Sequence, residues 1–339
     1  MAEVSKTTRD ALKQAWVLDG VLPEVDLDND IHEVFDQANW SISTTGDPKP
    51  MPGAMYQKLV PAFRLASLLL TTDSSLAWFH HVQNGEIITA GESSFLACRS
   101  PQSLLRDSVS PSELRALNAR SRQLLLPFRQ ANVTFTLGPP NDEHRKDVQR
   151  EFKAGSYARS YNYLPSHPAE IYINSAWLTY LRATKNEFDA ASAQEKSRFW
   201  VNTAIVLGHE MAHVGGWLSG VPDEPLHVCG APEAEHGYSW ENAVIGGSIW
   251  LTSLPAGDFG MYSWGAPNGS NPDDEAVMWP VEMPWILSLL QKQYWTGLQT
   301  SRGVEIVLPT FKFRVTRRAR PDPGTRRPKS KPSSTSKKP

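Results

Sequence analysis

The feature that most constrains the fold of this chain is a long helical run between residues 192 and 216. Ser192 and Glu195 have the spacing of a capping box, which predicts that a helix begins there. The segment TAIVLG (203–208) is apolar on all sides, so we expect other elements to surround the middle of this helix. The pair Gly215–Gly216 predicts where the helix ends.

The last turns of this helix carry the sequence HEMAH, from His209 to His213. Two histidines four residues apart lie on the same helix face, where their ring nitrogens can converge on one Zn²⁺. Glu210 is displaced by about 100° around the axis, from where it can reach a water activated by the metal without binding the metal itself. Glu210 is therefore the candidate general base, and then acid, of a zinc-dependent hydrolysis. The alternative is a polar turn of a buried helix, although histidines in such a helix need partners.

A catalytic zinc usually takes a third protein ligand. Gly216 matches the glycine of the metzincin pattern HExxHxxGxxH, but Ser219 stands where the third histidine should be, which excludes that family. The other common solution is a glutamate from a second helix, and the segment PEAEHGYSWENAVIGG (232–247) offers two glutamates.

Glu241 lies inside the helical part of that segment and is the favoured third ligand, with Glu235 as the alternative. Gly237, one turn before Glu241, would let the two helices approach closely. The glutamate that does not bind the metal is expected to hold a histidine ring through its other nitrogen. The remaining candidate ligands are His227, His236 and Asp223.

The segment from Glu241 to Gly247, ENAVIGG, resembles the glutamate-led helix of neprilysin-type gluzincins. The pattern Glu-x-Gly-x-x-x-Glu ahead of Gly-Gly is also similar to one in uncharacterised fungal zincin-like proteins. The resemblance covers residues 205–247 and implies a zincin-like fold and peptide hydrolysis. The chain departs from the gluzincin pattern because it lacks an aspartate three or four residues after Glu241.

Cysteine usage and the apolar runs limit the class of protein. Cys98 and Cys229 are the only cysteines and form no CxxC pair, so any metal should be held by His, Asp or Glu. The first twenty residues contain no apolar signal region, and no run approaches the roughly 18 apolar residues of a membrane span. We therefore expect an intracellular protein, cytoplasmic or nuclear, without a signal peptide or membrane contact.

Charge is distributed unevenly along the chain. Residues 317–339 carry nine Lys or Arg and one Asp, a net charge of +8, which leaves −10 on the rest of the chain. Because residues 316–339 offer little apolar surface to bury, we predict a disordered basic tail. Such a tail can be a solubilising terminus, a nuclear address or an electrostatic contact with nucleic acid.

The predicted architecture is α+β and zincin-like, mostly helical with a small sheet. We expect an N-terminal helical part (1–130) and a catalytic part (131–315) that form one continuous domain, followed by the tail. The predicted helices outside the segments already described span 3–18, 56–70, 112–128 and 141–155, and the predicted strands span 133–137 and 169–174. Residues 19–53 read as a connector rich in Pro, Gly and Asp.

Further residues are candidates for contacts with substrate. The strand AEIYIN (169–174) resembles the edge strand on which zincins hold an extended peptide. Stabilisation of the oxyanion is a role for a tyrosine or histidine, and the candidates are Tyr238, Tyr262, His227 and His236.

These patterns predict a zinc-dependent metallohydrolase, specifically a peptidase acting on a peptide or protein substrate. The alternative is a non-catalytic, zinc-stabilised adaptor or nucleic-acid-associated protein that binds through its basic tail. A structural zinc site would be closed by a fourth protein ligand, which His227 or His236 could supply. The oligomeric state stays open.

Overall fold

A computed structural model describes sixteen stretches of the chain. The described residues are 22–44, 47–84, 86–90, 93–97, 133–138, 150, 152, 156–161, 169–182, 187–220, 226–228, 235–251, 259–262, 276–300, 306 and 315–317. The predicted helices at 3–18, 112–128 and 141–155 lie outside these residues, except for Arg150 and Phe152, which are helical. Asp223, Cys98, Cys229 and the tail from residue 318 also lie outside them.

The described elements form a mixed α+β structure, which confirms the α+β part of the predicted architecture. The helices are α1 (Gly53–Leu70), α2 (Asp73–Asn84), α3 (Ser175–Arg182), α4 (Glu187–Ala190), α5 (Ala193–Leu218), α6 (His236–Ile245), α7 (Met283–Leu289) and α8 (Lys292–Thr300). The strands are β1 (Trp40–Ile42), β2 (Lys49–Pro50), β3 (Glu86–Ala90), β4 (Ser93–Ala97), β5 (Thr134–Leu137), β6 (Ala158–Tyr161), β7 (Glu170–Ile173), β8 (Leu226–Val228), β9 (Ser248–Leu251), β10 (Phe259–Tyr262), β11 (Ala276–Pro280) and β12 (Val315–Arg317).

The largest sheet has five strands in the order β2-β1-β5-β7-β6. Strands β1, β5 and β7 are parallel, whereas β2 and β6 run antiparallel at the two edges. Two further sheets have the orders β3-β4-β8 and β12-β11-β10-β9. Strand β12 includes residues 316 and 317, which belong to the predicted tail.

Two expectations about this sheet are wrong. The strand in AEIYIN is β7, but it lies between β5 and β6, so β6 and not β7 forms the edge. The predicted connector at 19–53 contains β1, which pairs with β2 and β5 inside the sheet. Its Trp40 is buried and stacks on Phe135 with ring centroids 4.5 Å apart. A strand of three residues is too short to show a periodic pattern, which is why the sequence hides it.

Helix α5 lies in the middle of the core, as its apolar segment predicts. Ser192 Oγ accepts from the Glu195 amide at 3.2 Å, and the Glu195 carboxylate accepts from the Ser192 amide at 2.8 Å, so the predicted capping box is confirmed. The helix packs against α1, α2, α6 and α7. The predicted end at Gly215–Gly216 is wrong, because the helix continues to Leu218 and Ser219 caps it.

Helix α1 supplies one wall of this core. It covers the predicted helix 56–70, and the four residues that recur at helical spacing are fully buried: Phe63, Ala66, Leu69 and Leu70. Among the described residues, no helix is long and apolar enough to cross a membrane.

Helices α2 and α6 are joined by two reciprocal hydrogen bonds. Trp78 Nε1 on α2 donates to Ser239 Oγ on α6 at 3.0 Å, and Trp240 Nε1 on α6 donates to Ser75 Oγ on α2 at 2.8 Å. Both indole rings are fully buried, where a polar N–H needs such a partner. These bonds join α6 to α2, and both helices pack against α5. Helix α6 is the second element of the site described below.

Candidate metal centre

Three glycines let α5 and α6 pack at short range. A Cβ on Gly208 would lie 2.1 Å from the Trp240 ring, and one on Gly216 would lie 2.5 Å from the His236 ring. A Cβ on Gly237 would lie 2.3 Å from the ring of His209. Any side chain at these positions would therefore push the helices apart. The close approach expected at Gly237 is confirmed, and the glycine at 216 serves packing and not helix termination.

The HEMAH histidines lie together on the face of α5 that meets α6. The ring centroids of His209 and His213 are 5.2 Å apart, and both side chains are largely buried. This arrangement follows from their spacing of four residues on one helix.

Glu235 is the carboxylate that faces both histidines. Its Oε1 lies 3.2 Å from His209 Nε2 and in direct contact with His213 Nε2. Glu235 is the N-cap residue of α6, and its other carboxylate oxygen accepts a hydrogen bond from the Tyr238 amide. The cap thus holds the side chain in place and turns Oε1 toward α5.

Glu241 lies on the opposite side of His209. Its Oε1 is 2.6 Å from His209 Nδ1, and its Oε2 accepts from the backbone amide of Ile249 at 2.9 Å. Because a carboxylate accepts hydrogen bonds, this contact places the proton of a neutral His209 on Nδ1 and leaves the Nε2 lone pair facing Glu235.

His209, His213 and Glu235 form a group that could hold a metal ion. One ligand atom from each residue lies within 4.8 Å of the others. Among the residues whose side chains the structure describes, no fourth His, Cys, Asp or Glu joins this group. The structure therefore brings Glu235 to the histidine Nε2 atoms and Glu241 to the outer nitrogen of His209.

Burial and charge at the cluster shift the pKa values of His209, Glu235 and Glu241. Burial by itself lowers the pKa of His209, but the carboxylates of Glu235 and Glu241 raise it well above its ordinary value. Burial raises the pKa of Glu235, and the opposing effect of His209 and His213 lowers it far below the usual range. Burial raises the pKa of Glu241 despite its hydrogen bond with His209. The negative potential that favours a proton here also favours a divalent cation.

Glu210, the candidate base, directly follows His209 on α5 and is buried. It is not part of the three-residue group. Its Oε2 accepts a hydrogen bond from Ser160 Oγ on β6. Ser160 carries no signal in the sequence, because the strand ARSY contains no motif that marks it.

The candidate oxyanion residues lie at different places. The Tyr238 ring packs edge-on against His209, with centroids 5.0 Å apart. His236 is fully buried, and its ring lies 6.3 Å from that of His213 and 5.9 Å from that of Trp78. His227 and Tyr262 lie in strands β8 and β10, and the structure describes only their backbone.

Comparison with protein-family models, with curated proteins and with solved structures gave no match for this chain. The resemblance to gluzincins therefore rests on residues 205–247 alone.

Proposed function

We propose that the chain is a zinc-dependent metallopeptidase with a zincin-like catalytic part. His209, His213 and Glu235 hold the zinc, and Glu210 is the general base and then the general acid. The observation that carries this proposal is the contact of one Glu235 oxygen with the Nε2 atoms of both histidines.

The donor set fits zinc in type, and the distance between two of its atoms fits zinc as well. Two imidazole nitrogens and one carboxylate are a common ligand set of catalytic zinc. Tetrahedral ligands at about 2.0–2.1 Å from zinc are separated by about 3.3 Å, and His209 Nε2 lies 3.2 Å from Glu235 Oε1. Among the residues whose side chains the structure describes, these three are the only ligands of the group, and a site of three protein ligands with an open position is typical of catalytic zinc.

Each residue has a definite task in this proposal. When bound, zinc would act as a Lewis acid that lowers the pKa of water and polarises the scissile carbonyl. Glu210 takes a proton from the attacking water and passes it to the leaving amine. Glu241 holds His209 in the tautomer that binds metal through Nε2. The choice of a peptide as substrate rests on the resemblance to gluzincins.

The substitution Glu210→Gln tests the function. We expect zinc to remain stoichiometric by mass spectrometry, while hydrolysis of fluorescein-labelled casein falls by about 10²–10⁴-fold because the base is lost. Glu187→Gln, an exposed position on α4, is the matched control and should change neither quantity.

Two results would contradict the proposal. If the unaltered protein binds zinc but hydrolyses nothing, the alternative of a non-catalytic, metal-stabilised adaptor gains support. If Glu210→Gln retains full hydrolysis, Glu210 is not the base.

A further inference from the structure

Ser160 lies on edge strand β6 and faces helix α5. Along this strand Ala158 and Ser160 are buried, whereas Arg159 between them is exposed. This alternation is that of a strand with one face against the core. Ser160 is 8% exposed and Glu210 is 5% exposed, so their contact is shielded from water.

The Ser160 hydroxyl makes a hydrogen bond with Glu210. Its Oγ lies in contact with Glu210 Oε2 and 3.5 Å from the backbone carbonyl oxygen of the same residue. A hydroxyl has one proton to donate, and the side-chain oxygen is the nearer of the two acceptors. The proton therefore goes to Oε2.

We propose that Ser160 is a positioning residue for Glu210, an inference that rests on the proposed function. With Oε2 engaged by Ser160, Oε1 is the oxygen that takes the proton from water. The carboxyl then gives this proton to the leaving amine nitrogen and returns to the carboxylate. Ser160 keeps its own proton throughout and holds the plane of the carboxyl group in one orientation.

The sheet gives Ser160 a rigid support for this role. Ser160 is the register partner of Ile171 on β7, and Ile171 is fully buried. The hydrogen-bonded ladder fixes the Ser160 backbone more firmly than a loop would, and a side chain on a strand holds its geometry accordingly. The orientation of the base on α5 is therefore set by the neighbouring edge strand.

The variants Ser160→Thr and Ser160→Val have side chains of the same shape, and they differ in that threonine carries a hydroxyl where valine carries a methyl group. Both residues suit a strand and add the same volume, so a difference between them reports the hydrogen bond. We expect kcat of Ser160→Val to be about 10–100-fold below that of Ser160→Thr, with KM within about twofold. The substrate is the internally quenched fluorogenic peptide that the unaltered protein cleaves fastest in a mixed-sequence library.

Binding of acetohydroxamate to the Co²⁺-substituted protein gives a second readout that needs no turnover. The hydroxamate offers a hydroxyl that can donate to a correctly oriented Glu210 carboxylate. We expect Ser160→Val to weaken this binding about tenfold relative to Ser160→Thr. Ser197→Ala is the matched control, because Ser197 is a buried serine on α5 whose hydroxyl donates to the Ala193 carbonyl.

The outcomes separate this inference from the proposed function. Equal kcat and equal hydroxamate binding in the Thr and Val variants would overturn the role of Ser160, as would a Val variant that loses its metal. If the added volume prevents folding of both, Ser160→Ala against Ser197→Ala decides by the same two measurements. Failure of Glu210→Gln to reduce hydrolysis would instead overturn the proposed function.

Discussion

At the scale of single residues, His209 is held by carboxylates on two sides. Glu235 faces Nε2, and Glu241 faces Nδ1 and also accepts from the Ile249 amide. These contacts give the two glutamates different tasks. Removal of Glu235 takes away a proposed ligand, whereas removal of Glu241 leaves the ligands present and loosens the orientation of one of them.

This difference predicts unequal effects on metal affinity. In Glu235→Ala we expect stoichiometric zinc binding to be lost, because only two of the three proposed ligands, the histidines, remain. In Glu241→Gln we expect an affinity about 10–100-fold weaker, since the amide accepts less strongly than the carboxylate. Competition with a chromophoric chelator measures both affinities. Full zinc affinity in Glu235→Ala would show that Glu235 is not a ligand.

At the scale of elements, the site depends on the short distance between α5 and α6. Gly208, Gly216 and Gly237 leave no room for a Cβ at this interface. The tryptophan–serine hydrogen bonds join α6 to α2, which also packs against α5. The cluster is therefore sensitive to substitutions that do not touch its ligands.

Gly208→Ala tests this packing. The new Cβ would overlap Trp240, and overpacking of a well-packed core costs about 1–3 kcal/mol in the free energy of unfolding. Thermal denaturation followed by circular dichroism measures the expected fall in Tm.

Gly297→Ala is the control on helix α8, because no atom lies within 4 Å of a Cβ there. It should be neutral or stabilising by up to about 1 kcal/mol, since alanine favours the helix over glycine. An unchanged Tm in Gly208→Ala would contradict the close packing of α5 and α6.

The sequence predicts individual elements better than their ends and partners. Helix α5 and strands β5 and β7 are visible as patterns because their segments show the helical or the alternating period of apolar residues. Helix α5 nevertheless runs past the glycine pair. Glycine often ends a helix, but at Gly216 it makes space for His236, a partner 20 positions away that no local pattern shows.

At the scale of the whole molecule, the candidate metal ligands come from two different helices. His209 and His213 lie near the end of α5, and Glu235 caps α6. A metal bound to all three would connect these helices in the folded state, and the unfolded chain would lack the assembled site. Metal binding should therefore stabilise the folded protein.

We expect removal of metal by a chelator to lower Tm, and added zinc to restore it. With free zinc at 100 times Kd, binding contributes about 2.7 kcal/mol to the free energy of unfolding. Differential scanning calorimetry with and without EDTA measures the change. Glu235→Ala is the reference, because its Tm should respond little to zinc. An equal response in both proteins would mean that the stabilising metal binds elsewhere.

The sequence by itself determined the capped central helix, the α+β class and the face on which His209 and His213 lie. These properties depend on local spacing, which the helical period fixes. The tertiary structure decided which glutamate faces Nε2, which strand forms the sheet edge and which hydroxyl reaches Glu210. Those relations depend on the angle and distance between elements, and these are set by side-chain packing between residues far apart in sequence.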